Sequence, residues 1–381
     1  YGKIYCKNSR SEKMKIGILT FHCAHNYGAM LQSYALKHCL QEQGHDVKII
    51  DYKPDYMRVH YKFWFVPQSS HYYKRAIKSR LFRFFLCCYF APKRYSTYGR
   101  KLKFDSFTKE YLLLTRRYNC YQELKDNPPV ADIYIAGSDQ IWNSVLPNGK
   151  DPAYFLQFGD ENVKRISYAA SFAISQIACD IKPLNSKWLK KLDAISVREH
   201  TGLSVLQSLK VKGVEVVDPV YLLNRMQWLN FAGKDRLIKQ KYVLVYDLYM
   251  NDERLCIEAK RLSKLYHLTI VSVDGNIKCP YAQKNISNAG PQEFVNLIFH
   301  AEYVITNSFH ATSFSLILNR PFAVFYNYDN ISRISDILNH VGLSHCLNAD
   351  NPIYNYNWMN INQYLAEMCK KSYQFLVSNL K

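Results

Sequence analysis

The 381-residue sequence lacks several features that define common protein classes. Its longest strongly apolar stretch without a charge, Phe84–Pro92, is far shorter than the ~20 residues that a membrane-spanning helix needs. Neither G-x-G-x-x-G nor G-x-x-x-x-G-K-[ST] occurs, which argues against a dinucleotide enzyme and a P-loop NTPase. The 11 cysteines include no C-x-x-C pair. We therefore expect reduced thiols in the cytoplasm rather than a disulfide framework or a metal site.

Acidic residues are also scarce, because 31 Asp and Glu stand against 50 Lys and Arg, giving a net charge of +19. This excess implies an anionic partner. The basic aromatic segment, residues 56–104, holds 12 Lys and Arg and no Asp or Glu, with aromatic residues interleaved among them. Such a segment suits an anionic membrane surface, nucleic acid, or a solvated helical insertion whose aromatics complete a core. We favour the membrane surface and consider nucleic acid the least favoured partner.

Length and a hydrophobic content of 48% predict two globular domains. Lys15–Phe21, the amphipathic stretch Ala29–Gln43 and Asp46–Tyr52 form a strand–helix–strand unit, which builds a parallel sheet. A second series of such units begins at Tyr242–Tyr246. The predicted fold is α/β with two Rossmann-type doubly wound domains and a cleft at the carboxyl ends of the strands. The predicted limits are residues 14–218, residues 219–358, and a C-terminal helix at 359–381 that packs back across the junction.

Two loops after predicted strands carry polar side chains suited to a sugar. The first runs from Lys15–Phe21 into a helix N-terminus, which attracts anions or hydroxyls, although it could be an ordinary turn with a capping Asn. The second follows Ile133–Ala136 and combines a carboxylate, amides and an indole, as sugar sites do, although the Asp could simply cap a turn. The predicted acceptor-binding residues are His22, Asn26, Tyr27, Gln140, Trp142 and Asn143, with Asp139 orienting or deprotonating the acceptor hydroxyl.

Three further positions could meet an anionic donor. Arg198 ends the predicted strand Ala194–Val197, where a buried guanidinium needs an anion; a structural ion pair with Glu199 is the alternative. His310 lies at a strand-to-helix turn whose first amides can bind phosphate or carboxylate, and the alternative is a structural histidine. Arg333 follows the last predicted strand and could add a cation. The predicted donor-binding residues are Arg198, Ser308, Thr312 and Arg333, with His310 as proton carrier.

Several strings of the sequence, in register, resemble the polysaccharide pyruvyl transferase family over residues 14–345: HNYGAMLQSYALK, IAGSDQIWN, ISYAASFA, ISVRE and SFHATSFSLILNRPFAVF. The resemblance implies a GT-B-like fold and transfer of an enolpyruvyl unit from phosphoenolpyruvate to a sugar as a ketal, without a metal or other cofactor. It maps Arg198 onto a basic residue that holds the donor and His310 onto the catalytic histidine. One position departs from the family, whose members carry an Arg one or two residues before that histidine, where this chain has Ser308 and Phe309.

The expected reaction also sets requirements on the site. Phosphoenolpyruvate, the co-substrate, carries a phosphate and a carboxylate, so its site needs cations and a helix N-terminus. The expected acceptor is a saccharide of a cell-surface polysaccharide precursor on a lipid diphosphate, which would explain the basic aromatic segment. The protein would then work in the cytoplasm, peripherally on the inner face of the membrane. Two alternatives stay open: a GT-B nucleotide-sugar glycosyltransferase, and a non-catalytic protein that binds an anionic surface.

Overall fold

Two five-stranded sheets form the centre of the protein in the computed structural model, which describes residues 12–23, 25–58, 72, 75, 78–248, 252–274, 278–326 and 332–380. All strand pairs in both sheets are parallel. The first sheet has the order β3-β2-β1-β4-β5 and comprises β1 (Lys15–Leu19), β2 (Asp46–Tyr52), β3 (Leu114–Tyr118), β4 (Ile133–Ala136) and β5 (Lys164–Ser167). A two-stranded sheet, β6 (Ser196–Val197) with β7 (Val214–Glu215), continues beyond β5 through isolated bridges.

The second sheet repeats the same arrangement in the second half of the chain. Its order is β10-β9-β8-β11-β12, with β8 (Tyr242–Tyr246), β9 (Thr269–Val273), β10 (Lys284–Ile286), β11 (Tyr303–Thr306) and β12 (Phe322–Val324). In each sheet the strand order reverses beside the first strand, between β1 and β4 and between β8 and β11. The carboxyl ends of the strands at such a reversal form the crevice where doubly wound sheets bind ligands.

Helices connect the strands. In chain order they are α1 (Tyr27–Glu42), α2 (Asp55–Arg58), α3 (Arg80–Phe107), α4 (Tyr121–Asp126), α5 (Lys182–Leu189), α6 (His200–Ser208), α7 (Arg225–Ala232), α8 (Glu253–Tyr266), α9 (Pro291–His300), α10 (Phe309–Ile317), α11 (Ser332–His340) and α12 (Trp358–Ser378). Short 3-10 helices lie at Pro147–Lys150, Pro152–Phe155, Pro219–Leu222 and Ser344–Cys346, and a π-helical turn at Thr108–Leu112 ends α3. None of the described helices has both the length and the apolar character that crossing a bilayer requires.

Helix α1 joins the two halves of the chain. Tyr27 is fully buried, stacks on Phe294 of α9 with ring centroids 4.3 Å apart, and donates from its hydroxyl to the Ala289 carbonyl at 2.9 Å. About two turns later, Tyr34 packs on Trp228 and Phe231 of α7. Aromatic contacts of this size contribute strongly to a shared core. The first and second sheets are therefore joined through a continuous apolar core.

The C-terminal helix α12 contacts the segment that links the sheets. The Ser372 hydroxyl accepts from the Val217 amide at 2.9 Å, and the Cys369 thiol lies 3.1 Å from the Tyr221 carbonyl. Buried residues at Ile361, Leu365 and every third or fourth position afterwards place one face of the helix against the protein. Helix α12 therefore contacts residues on both sides of position 218, and the limits of the two domains stay a prediction.

The structure confirms the predicted α/β class and the GT-B-like pair of Rossmann-type sheets. It corrects several element limits: β6 and β7 have only two residues each, and α1 begins at Tyr27 because Asn26 caps it. Sequence patterns missed β3 and β10, since LTRRY and KNI are too polar to be recognised as strands. Most of residues 59–77, together with Tyr328 and Asp329, lie outside the described residues.

Candidate active site

Polar residues that follow the strands of the first sheet converge on the start of helix α10. Ser138 and Asp139 follow β4, Arg198 follows β6, and Asp218 comes shortly after β7. His310 in the first turn of α10 approaches from the second sheet, with its Nε2 atom 3.7 Å from the Asp218 carboxylate. Strands β4 and β11, which lead into Asp139 and His310, both flank a reversal of strand order. The site therefore lies where this topology favours ligand binding.

Asp218 is the centre of the cluster, and it is fully buried. Its Oδ2 atom accepts from the Ser138 hydroxyl at 2.9 Å and from Nη1 of Arg198 at 2.8 Å, while Oδ1 accepts from the Val220 amide at 3.1 Å. Burial alone would raise the pKa of Asp218, but the nearby His310 and Arg198 outweigh it and hold this pKa well below its usual range. Asp218 is therefore a fixed negative charge facing the imidazole.

The Arg198 guanidinium is buried among three carboxylates. Besides Asp218, the carboxylates of Asp139 and Glu199 each lie 3.8 Å from it. Burial would lower the pKa of Arg198, but the three carboxylates outweigh it and raise this pKa. Its Nε and Nη2 atoms have no hydrogen-bond partner among the described residues. This cation is thus held permanently charged and retains unused donors.

The suggested structural pair between Arg198 and Glu199 is only a minor part of this arrangement. Oε1 of Glu199 accepts from the Ser171 hydroxyl at 2.7 Å and from the amides of Phe172 and Ala173 at 3.1 and 3.2 Å. The main function of Glu199 is therefore to hold the loop after β5. The principal partner of Arg198 is Asp218, at 2.8 Å.

A second guanidinium, that of Arg333 in α11, lies beside the first. Burial lowers the pKa of Arg333, and the like charge of Arg198 lowers it further. Within the described part of the chain, Arg333 has no carboxylate at salt-bridge distance; with the Gln140 amide oxygen turned toward it, the guanidinium donates to Gln140 at 3.1 and 3.3 Å. Both guanidiniums lie over the ring of Phe309, at 4.9 and 6.0 Å. Two neighbouring cations, one of them without a carboxylate at salt-bridge distance among the described residues, favour an anionic ligand.

His310 is seated by a contact between the halves of the chain. A Cβ atom built on Gly28 would lie 2.0 Å from Nδ1 of His310, so only glycine leaves room for the imidazole. The opposite nitrogen, Nε2, faces Asp218 and has no hydrogen-bond partner in the described residues. The predicted donor-binding hydroxyls nearby serve the helix instead: Ser308 caps α10 through the Ala311 amide, and Thr312 is buried and donates to the Ser308 carbonyl at 2.9 Å.

The three residues predicted in the first loop have structural partners. His22 is fully buried, with Nδ1 3.0 Å from the Thr20 carbonyl and Nε2 2.9 Å from Asp51. Asn26 accepts from the Ala29 amide at the start of α1. Tyr27 is enclosed between the two halves of the chain. Direct acceptor binding by Tyr27 is therefore wrong, and the polar atoms of His22 and Asn26 are engaged in holding the loop.

In the loop that follows β4, one residue faces the cluster and others belong to the core. Asp139 adopts a left-handed backbone with φ of 77°, which turns its carboxylate toward Arg198. Trp142 is fully buried, stacks on Phe155, and donates from its indole to the Tyr154 carbonyl at 3.0 Å. The predicted sugar platform at Trp142 is thus wrong, because the apolar ring belongs to the core. Asn143 is also buried, and its side-chain oxygen accepts from the Val145 amide at 3.1 Å.

Residues of the cluster line the first of two cavities. The first, about 200 Å³, is bounded by Arg198, Asp218, Phe309 and Arg333 and by residues of α12. The second, about 420 Å³, lies at the carboxyl ends of β1 and β2 and is bounded by His22, His25, Lys53, Phe104 and Arg117. Three Lys or Arg residues, Lys53, Lys109 and Arg117, stand on its wall beside Asp105. In the described ranges no three His, Cys, Asp or Glu side chains are arranged to hold a metal ion.

Sequence reasoning missed Asp218 and Gly28. Asp218 follows the mostly apolar run Val214–Val217 and precedes a proline, so it carries the same signal as Asp139 and Arg198, namely a charged residue at the carboxyl end of a strand. Gly28 gave no such signal, because its importance depends on a side chain 282 positions away in the sequence. Only the packing of α1 against α10 reveals it.

The chain was compared with solved structures, with curated protein sequences and with models of protein families. The UDP-GlcNAc 2-epimerase of Methanocaldococcus jannaschii is 13% identical, with 93% of each chain covered and a TM-score of 0.47. The UDP-GlcNAc 2-epimerase of Neisseria meningitidis bound to UDP-GlcNAc is 10% identical, covering 96% of this chain and 99% of that one, with a TM-score of 0.48. No curated protein sequence matches significantly. The family model of polysaccharide pyruvyl transferase matches residues 26–330, and the chain therefore belongs to the polysaccharide pyruvyl transferase family.

Proposed function

We propose that the protein transfers the enolpyruvyl group of phosphoenolpyruvate to a sugar of a polysaccharide precursor and closes it into a pyruvate ketal. The observation that carries this proposal is the pair of guanidiniums over Phe309, Arg198 and Arg333, next to the imidazole of His310. A ligand with two anionic groups and a reactive carbon between them matches two cations beside a proton carrier. The pair also compensates for the missing Arg ahead of His310, where this chain has Ser308 and Phe309.

The reaction follows from this arrangement. His310 donates a proton to the methylene carbon of phosphoenolpyruvate, which leaves an electrophilic C2 that a sugar hydroxyl attacks. The phosphate departs with the electrons of its bond to C2, and a second hydroxyl of the sugar attacks C2 to close the ring. One hydroxyl proton returns to His310 and the other is taken up by the departing phosphate, so the products are the ketal and hydrogen phosphate. No metal takes part in this scheme, because the guanidiniums supply the positive charge.

The carboxylates have separate functions in the proposed scheme. Asp218, 3.7 Å from Nε2 of His310, provides the negative charge that faces the proton carrier. Asp139, which faces the same cluster, orients the attacking hydroxyl or accepts its proton. The acceptor enters from the larger cavity, where Lys53 and Arg117 would meet the phosphates of a lipid-diphosphate-linked saccharide. The protein would then work in the cytoplasm, peripherally on the inner face of the membrane.

Ligand binding and a point variant together test this proposal. Phosphoenolpyruvate is compared with UDP-sugars by calorimetry, and release of inorganic phosphate is followed with a saccharide acceptor. We expect saturable binding of phosphoenolpyruvate, and His310→Ala should lower turnover by about 10²- to 10⁴-fold while the variant melts like the parent. Saturable binding of UDP-sugars alone would support the glycosyltransferase alternative. Unchanged turnover in His310→Ala would remove this residue from the chemistry.

A further inference from the structure

The first turns of helix α3, Arg80–Phe107, present apolar side chains to solvent. Leu81, Phe84, Phe85 and Tyr89 are 67%, 46%, 61% and 78% exposed, and Cys88 between them is exposed too. These positions follow the spacing i, i+3, i+4, i+7, i+8, so they lie on one face of the helix. We define them as the α3 apolar face. The other side of the same turns is buried at Leu86 and Cys87.

The charges of α3 are divided between its two ends. Near the C-terminal end, Arg100 lies 3.7 Å from Asp274, Lys103 binds Glu293 at 2.6 Å, and Lys101 binds Asp105. These cations are neutralised within the protein. At the N-terminal end, Arg75, Lys78 and Arg80 are exposed, and no acidic residue occurs between positions 56 and 104. Among the described residues, these exposed cations therefore lie beside the N-terminal end of the α3 apolar face.

We propose that the α3 apolar face docks on an anionic lipid membrane, with the N-terminal half of the helix lying along the bilayer surface. Rings and a leucine on one side of a helix suit the boundary between headgroups and acyl chains, and flanking Lys and Arg suit anionic headgroups. Two copies of this face would bring like charges together, which disfavours self-association through it. The face is convex and apolar rather than a groove with stacking platforms, which disfavours single-stranded nucleic acid.

Docking would also place the lipid surface near the acceptor cavity. Phe104 at the other end of α3 lines the larger cavity, 19 residues from Phe85, which corresponds to roughly 28 Å along a helix. Arg100 of the same helix donates to the His25 carbonyl at 2.9 Å and covers the ring of Tyr27. The same helix thus reaches from the proposed membrane contact to the first loop of the site. This proposal does not depend on the reaction, since membrane binding is measured without substrate.

Vesicle binding of the full chain tests the proposal with matched variants. Vesicles of phosphatidylcholine are compared with vesicles containing phosphatidylglycerol. We expect strong co-sedimentation only with the anionic vesicles, reduced at least tenfold at high salt. Arg75→Gln with Lys78→Gln and Arg80→Gln should weaken binding up to about 100-fold at low salt, because each charge contributes roughly fivefold. The control replaces Lys187, Lys190 and Lys191, three exposed lysines on and after α5, and should change binding less than twofold.

The apolar part is tested separately. Phe84→Ser with Phe85→Ser and Tyr89→Ser should lower binding at least tenfold at every salt concentration, whereas Ile257→Ser with Leu265→Ser, exposed apolar residues on α8, should not. An environment-sensitive dye on Cys88 should be quenched by lipids brominated in their acyl chains, and a dye on the exposed Cys179 should not be quenched. Each dye is attached with the other reactive cysteines changed to Ser.

Several results would overturn the proposal. Equal binding to neutral and anionic vesicles would show that anionic headgroups are not recognised, and binding to neither would remove the membrane as partner. A dimer in sedimentation that the Phe84, Phe85 and Tyr89 variant dissociates would show that a second copy covers the face. Salt-sensitive RNA binding by the parent that exceeds vesicle binding would assign the segment to nucleic acid. The two proposals can fail separately. If the parent protein binds anionic vesicles but does not turn over phosphoenolpyruvate, the proposed function is contradicted and the membrane proposal is supported.

Discussion

Nδ1 of His310 lies so close to Gly28 that a Cβ atom on residue 28 would stand 2.0 Å from it. Gly28 belongs to helix α1 of the first half of the chain, and His310 belongs to helix α10 of the second. Neither half of the chain creates this contact by itself, because each contributes only one of the two residues. The imidazole therefore reaches Asp218 only when the two halves are packed together, and the site depends on the interface around Tyr27.

Gly28→Ala should impair turnover without unfolding the protein. The glycine has an ordinary helical backbone, so alanine would favour α1 by up to about 1 kcal/mol. Its methyl group, however, must displace the imidazole, and a shift of about 1 Å in a catalytic group can cost about 100-fold in rate. We expect a fall of this size in phosphate release, with a melting temperature at or moderately below that of the parent, because overpacking of the buried contact offsets the gain in the helix.

Gly99→Ala supplies the matched control for this prediction. Gly99 also lies inside a helix, but a Cβ atom there would meet only Asn288, at an ordinary 3.6 Å. The turnover of Gly99→Ala should equal that of the parent. If Gly28→Ala kept full activity, or if both variants lost it equally, the contact between Gly28 and His310 would not control the position of the imidazole.

Arg333→Gln should weaken phosphoenolpyruvate binding without lowering stability. Burial and the neighbouring Arg198 lower the pKa of Arg333, which means that the folded protein disfavours this charge before the donor binds. Removing it relieves that repulsion and loses a charge-assisted contact to the donor, worth about 1.5 to 3 kcal/mol. Calorimetry should show a dissociation constant raised about 10- to 100-fold, and thermal unfolding should show an unchanged or higher melting temperature.

Arg198→Ala gives the contrast to Arg333→Gln. It should weaken donor binding as well, but it also leaves the buried carboxylate of Asp218 without its partner at 2.8 Å. The melting temperature should therefore fall. Equal stability losses in both variants would show that Arg333 is a structural cation. Donor binding unchanged in either would remove that residue from the donor site.

The sequence predicts the site residues that follow a local pattern, and it misassigns those whose surroundings depend on packing between distant segments. His310, Arg198 and Asp139 are recognised because each follows an apolar run, and the topology then brings carboxyl ends of parallel strands together. Tyr27 and Trp142 are misassigned, because the sequence does not distinguish an aromatic residue that binds a sugar from one whose hydroxyl or indole N–H is hydrogen-bonded inside a core. Their burial follows from the packing of α1 on α9 and of the β4 loop on Phe155.

The fold shows the same limits. Strands such as Tyr242–Tyr246 and Ile133–Ala136 are predicted to the residue because they are buried apolar runs inside a sheet. The edge strands β3 and β10 are missed, since an edge exposes side chains to water and accepts Lys, Arg and Asn. The basic aromatic segment could not be resolved from composition alone. The structure shows that Arg100, Lys101 and Lys103 pair with carboxylates. Arg75, Lys78 and Arg80 are exposed.

Asp218→Asn should cost stability through Arg198, and a double-mutant cycle can isolate this effect. Removing one member of a buried ion pair typically costs about 3 to 5 kcal/mol, because the remaining charge is left uncompensated. Urea unfolding should show a loss of this order for Asp218→Asn. Combining it with Arg198→Met should recover part of the loss, since neither member of the 2.8 Å pair then remains without the other. Strictly additive losses would mean that the two residues act independently despite their 2.8 Å contact.

His25 should make the protein less stable as the pH falls from about 6.5 to 4. Burial is the main cause that lowers its pKa to about 4; Asp105 raises the pKa, and Arg100 and Lys101 lower it further. Between pH 6.5 and 4 the unfolded chain binds the proton and the folded protein does not. The free energy of unfolding therefore falls as the pH falls through this window, and stability from His25 is fully present above it. Urea unfolding at intervals from pH 7.5 to 4 measures this slope.

His25→Gln removes the titrating group and keeps a polar side chain of similar size. The difference in unfolding free energy between the parent and this variant should be constant above pH 7 and should shrink, then change in favour of the variant, as the pH approaches 4. His345→Gln, at an exposed histidine outside the loop, should follow the parent at every pH. A constant difference down to pH 4 would mean that His25 takes up its proton in the folded state, which requires the wall of the larger cavity to open there and expose the imidazole to water.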